Sequence, residues 1–112
     1  MGKFELFPSE ANRNFYFRFK STSGTQLLNS EGYTGKSSCQ NGIESVKKNS
    51  SLDARYERKN NKDEKRYSFN LKAANGEVIA RSTRVYTTEK ERDEAIETVK
   101  KEAPGASTID LT

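Results

Sequence analysis

The sequence predicts an α+β fold made from two copies of one unit, with two helices on one face of a shared antiparallel sheet. Residues 16–24, YFRFKSTSG, align with 68–76, SFNLKAANG, at an offset of 52, and IESVKK at 43–48 aligns with IETVKK at 96–101 at an offset of 53. An inserted residue near 83–85 accounts for the change. In each copy, period-two alternation gives way to helical spacing. A unit of about fifty residues is too small to bury a core alone, so the copies, 1–54 and 55–112, are expected to form one structural unit with pseudo-twofold symmetry.

Composition fixes how that core is made. Hydrophobic residues are 31% of the chain and charged residues 32%, so the core is thin. Six Phe and five Tyr compensate, because each aromatic ring removes a large area from water. The net charge of +4 is not concentrated enough to define a nucleic-acid stripe. Cys39 is the single cysteine, and the amino terminus has no long apolar run. A reducing cytoplasm is the expected setting, with no membrane span.

The elements follow in order. Residues 3–7 form a short strand stopped by Pro8. Residues 15–20 place Phe15, Phe17 and Phe19 on one face and Tyr16, Arg18 and Lys20 on the other, the signature of a half-buried strand. Ser23-Gly24 turns the chain into a third strand over 26–30. The second copy repeats this at 55–59, 66–72 and 77–81, with Tyr67, Phe69 and Leu71 in the buried phase and Asn75-Gly76 at the turn.

Helices are predicted over 36–49, with Cys39, Ile43 and Val46 inward, and over 88–103, with Ala95, Ile96, Val99 and Ala103 inward. Ser37-x-x-Gln40 and Thr88-x-x-Glu91 both read as capping boxes. Pro104-Gly105 ends the second helix. Short strands are expected after each helix, at 52–54 and 107–111. The expected core is Phe17, Phe19, Ile43, Val46, Phe69, Leu71, Ile96 and Val99. Cys39 is expected to be a small apolar contact, although its counterpart, Arg92, suggests a contact edge with some access to the thiol.

At 17–24, Glu31-Gly32-Tyr33 and 41–48, and again at 69–79, Tyr86 and 95–101, the chain resembles the YegP-like tandem-repeat family, also called DUF1508 or UPF0339. The resemblance implies two β-β-β-α-β units around one antiparallel sheet, each giving its last strand to the other. The second copy departs at Thr83-Arg84-Val85, where the Glu-Gly before the tyrosine is missing. No catalytic or binding residue comes with the resemblance.

The residue inventory argues against an enzyme. With no histidine and one cysteine, thiolate–imidazole pairs and Cys/His zinc sites are excluded. Glu89, Glu91, Asp93, Glu94 and Glu97 crowd one helix beside cations, as on a solvated helix face. Gly35-Lys36-Ser37 imitates the end of a phosphate-binding loop, but Ser30 stands where the first glycine belongs. The expectation is no catalytic residue, no cofactor and no metal.

What remains is the outward face of the long strands. Tyr16, Arg18 and Lys20 in one copy, with Ser68, Asn70 and Lys72 in the other, point away from the helices. Tyr16, Arg18, Lys20 and Lys72 are the candidate binding face. The expected function is a small non-enzymatic interaction module that meets a protein partner or a second copy of itself. Weak binding of single-stranded nucleic acid is the alternative, since an aromatic beside two cations can stack on a base and meet a phosphate. It is less favoured because one copy alone has the full set and the RNP1 glycines are absent.

Overall fold

The computed structural model describes residues 2–112. The strands are β1 (Lys3–Pro8), β2 (Phe15–Lys20), β3 (Gln26–Asn29), β4 (Tyr56–Asn61), β5 (Arg66–Lys72), β6 (Val78–Ser82) and β7 (Ser107–Asp110). The helices are α1 (Lys36–Asn49), before β4, and α2 (Glu89–Glu102), before β7. All strands join one sheet in the order β4-β5-β6-β3-β2-β1-β7. The repeats meet at β3 and β6, where Leu28 lies opposite Ser82 and Asn29 opposite Arg81. The pseudo-twofold axis passes between these strands.

Alternation decides which side becomes the core. Phe4, Leu6, Phe17, Phe19, Leu28, Phe69, Leu71 and Ala80 point to the helices and are buried, where Ile43 and Val46 of α1 and Ile96 and Val99 of α2 meet them. The eight residues expected from sequence are all in this core. Phe15 and Tyr67, in the same phase but at the strand ends, are only half buried. Gly24 and Gly76 supply the positive φ of 86° and 87° that the two hairpins need.

Tyr33 and Tyr86 each bridge back to the start of the long strand of their own repeat, at Phe15 and Tyr67. A side chain at Gly42 would collide with the Tyr33 ring, so this glycine lets Tyr33 lie on α1 and stack on Phe17, with ring centroids 6.2 Å apart. Asn49, at the end of α1, is buried, donating to the Ser45 carbonyl and accepting from Arg55.

Several expectations need correction. The sheet is mixed, because β7 runs parallel to β1 while every other pair is antiparallel. Strand exchange is one-sided: β7 of the second repeat lies on β1 of the first, but no strand forms at 52–54. There, Asp53–Arg55 makes a 3-10 turn, closed by the Arg55 amide on the Leu52 carbonyl. Asp53 accepts from Arg58 at 2.9 Å and Lys100 at 2.6 Å, which holds the turn against β4 and α2. In α2 one half of the capping box is made, the Thr88 hydroxyl accepting from the Glu91 amide, whereas α1 has Gly35 at its N-cap and no side-chain cap.

Cys39 has no access to solvent. Its counterpart Arg92 is also buried, its guanidinium donating to Asn60 Oδ1 at 2.6 Å and the Lys59 carbonyl at 3.2 Å. The position is therefore inside the helix–sheet contact in both repeats, filled by a small apolar group in one and a hydrogen-bonded cation in the other. Burial pushes the Cys39 thiol up to about 11, so it stays protonated at neutral pH.

Candidate binding face

The outer side of the sheet has no helix over it, and its side chains register across the strands. One transverse row runs Ile109, Glu5, Arg18, Asn29, Arg81, Asn70, Glu57. The row is twofold in pattern, with a carboxylate toward each side and asparagine and arginine between. Only Ile109, contributed by β7, lacks a mate. Hydrogen bonds extend the order beyond the strands, as Arg81 reaches Glu31 of the first repeat at 2.6 Å.

The candidate residues lie within this pattern. Arg18 Nε donates to Glu5 Oε1 at 2.6 Å, and Lys20 Nζ is 3.2 Å from the same oxygen. Lys3 lies 3.8 Å from the other oxygen. The Glu5 side chain is only 10% exposed, and the bond from Arg18, before that from Lys20, holds its carboxyl below the usual range. In the second repeat, Glu57 accepts from Asn70 at 2.9 Å and Lys72 at 3.3 Å, which also lowers its carboxyl. Asn70 itself is buried by this contact. The structure thus brings Tyr16, Arg18 and Lys20 together on one strand face, while Lys72 sits in the corresponding group of the other repeat.

Tyr16 has a partner as well. Its ring stacks on Phe7 with centroids 6.0 Å apart, and the Arg18 guanidinium lies 4.5 Å from the centre of the Phe7 ring. Beside them is an open hollow of about 320 Å³ lined by Phe7, Ser9, Tyr16, Phe17, Asn29 and Ser30. Ile109 and Leu111 are 38% and 48% exposed at the adjoining edge. The β1–β7 register, carried one residue on, sets Leu111 level with Phe7. The outer face of β7, β1 and β2 is therefore graded: Ser107, Lys3 and Lys20 at one end, Ile109, Glu5 and Arg18 in the middle, Leu111, Phe7 and Tyr16 at the other.

Sequence reasoning missed Glu5, Phe7, Glu57, Arg81 and Ile109. The carboxylates were detectable, since Phe4-Glu5 and Tyr56-Glu57 also stand 52 apart. Ile109 was not, because its place depends on which strand β7 joins. Among the described residues, no group of three or more histidine, cysteine or acidic side chains could hold a metal ion, and no helix is long and apolar enough to cross a membrane.

A tandem-repeat α+β protein with a seven-stranded sheet and a final strand passed between repeats is the class this geometry defines. The family model described as a domain of unknown function, DUF1508, matches twice, at residues 10–57 and 63–110. The chain belongs to this family. It is 47% identical over 110 residues to the UPF0339 protein in the ptx operon 5′ region of Stutzerimonas stutzeri, covering 98% of this chain and 96% of that one. It is 41% identical over 111 residues to the UPF0339 protein YegP of Escherichia coli K12, covering 99% and 98%. The solution NMR structure of a UPF0339 protein from Shewanella oneidensis superposes with a TM-score of 0.89 at 41% identity, covering 99% of this chain and 92% of that chain.

Proposed function

We propose that this protein is a non-enzymatic interaction module that meets a protein partner on the outer face of β7, β1 and β2. One observation carries the reading: the half-buried pair Phe7 and Tyr16 of the first repeat lies level with the exposed Ile109 and Leu111 brought by the second, beside three cations that share one carboxylate. The second repeat has Lys59 and Ser68 at the positions of Phe7 and Tyr16, so the aromatic pair is not required by the fold. Lys3, Arg18 and Lys20 against Glu5 leave a local excess of positive charge. The partner that complements this surface presents acidic side chains next to apolar ones.

Single-stranded nucleic acid is the second reading, supported by Tyr16 and Arg18 on one strand face. Against it, Glu5 already engages Arg18 and Lys20, and Phe7 already covers one face of the Tyr16 ring. Capture from cell extract with the parent protein and with the Phe7→Ser, Tyr16→Ser double variant tests both. A defined protein retained by the parent at high salt and lost from the variant supports the first reading. Nucleic acid retained by the parent and released as salt rises supports the second. Identical capture by parent and variant overturns the assignment of this face.

A further inference from the structure

We propose that the free edge of β4 is a seat for an extended basic polypeptide segment, which adds to the sheet parallel to β4 as β7 adds beside β1. The molecule supplies its own precedent. β1 and β4 are equivalent strands, and β1 is covered by β7 along Lys3–Leu6. The equivalent positions are Arg55, the last residue of the 3-10 turn, and Tyr56 to Arg58 of β4, and among the described residues no strand pairs with that edge. The segment that would have filled it by symmetry is consumed by the 3-10 turn leading into β4. An edge with unpaired backbone donors and acceptors is the substrate for strand addition.

The helix beside each seat tells the same story. Next to β7, a hollow of about 220 Å³ is lined by Gln40, Asn41, Ile43 and Glu44 of α1 and by Thr108 of β7. The corresponding flank of α2 is an open groove of about 590 Å³, lined by Glu89, Lys90, Asp93, Glu94, Glu97 and Thr98, with no strand contributing. Arg58 of β4 reaches Asp93 at 3.3 Å, so this flank adjoins the open edge.

Charge selects the occupant. Asp110 of β7 pairs with Lys36 at the start of α1. The equivalent of Lys36 is Glu89, and Arg58, at the place of Asp110's register partner Leu6, is already held by Asp53 and Asp93, so a residue seated like Asp110 beside α2 is complemented by a cation. Glu89 and Glu94 form no ion pair among the described residues. A second copy's β7 would bring Asp110 against Glu89, and is disfavoured for that reason.

The proposal is tested on the intact chain, labelled with nitrogen-15 and titrated with a short synthetic peptide alternating lysine and threonine, beside a control alternating glutamate and threonine. The lysine peptide should shift the amides of 55–59 and slow their hydrogen exchange, while the control does neither. Glu89→Lys with Glu94→Lys should weaken the lysine peptide about tenfold or more. An unchanged circular dichroism spectrum verifies that this variant is folded. Equal response to both peptides, shifts confined to the outer face, or no response at millimolar peptide would each overturn the proposal. So would shifts at 55–59 that grow with protein concentration alone, which would give the edge to a second copy.

Discussion

The two repeats differ least where they are buried and most at the rim of the sheet. In the first repeat, Phe4, Phe17 and Phe19 pack under α1, and in the second, Tyr56, Phe69 and Leu71 take those places under α2. At the rim, the first repeat has Phe7, Tyr16 and an added strand, whereas the second has Lys59, Ser68 and an open edge. A duplicated chain must keep the residues that let the copies close one core. It is free to change the surfaces where each copy meets solvent or a partner, and the functional reading follows from that difference.

The largest effects are expected where the repeats agree. Phe17→Ala and Phe69→Ala should each cost about 3–5 kcal/mol in chemical denaturation, a large part of a small domain's stability. A loss under about 1 kcal/mol at either site would contradict the shared core. Division of the chain near Ser51 should leave both halves without cooperative structure by circular dichroism until they are mixed, since α1 touches strands of both repeats. Two independently folded halves would break the comparison at its root.

Acid should act more gently, through the ion pairs at the rim. The Asp53 carboxyl is lowered to about 2 from an ordinary 3.8, first by its bond from Arg58 and then by that from Lys100. A depressed folded-state value stabilises above the unfolded one and is lost as pH falls through the folded one. Asp53→Asn should therefore remove part of the decline in stability between about pH 4 and pH 2 that the parent shows in urea titrations. The same decline in parent and variant would deny Asp53 a role in holding the turn.

The smallest effect separates the two buried equivalents, Cys39 and Arg92. The folded protein should resist alkylation of Cys39 at neutral pH, with reaction following only on unfolding, because the thiol is both buried and protonated. Labelling at the rate of a free thiol would place Cys39 at the edge of the helix contact.

Local signals made most of the frame readable. Aromatic alternation at Phe15–Lys20 and Arg66–Lys72, glycine at both hairpins and the stripes in both helices need only neighbouring residues to be understood. The pairing of β7 with β1 spans the whole chain, and nothing within 107–111 names β1 as its partner. At 52–54 the chain turns instead, with Asp53 bonded to Arg58 and Lys100, one of them 47 residues away. On the candidate face, the alternation of Tyr16, Arg18 and Lys20 was legible. The pairing of Arg18 and Lys20 with Glu5 was not, because it depends on the register between β1 and β2.

Hydrogen exchange of the native protein tests the central asymmetry most directly, since the two rim strands occupy equivalent positions and differ in whether a strand lies beside them. The amides of Lys3–Leu6, lying between β2 and β7, should as a group exchange far more slowly than those of 56–59, which have a neighbour on one side only. Equal protection of the two strands, or faster exchange in β1, would contradict a first repeat closed by β7 and a second left open.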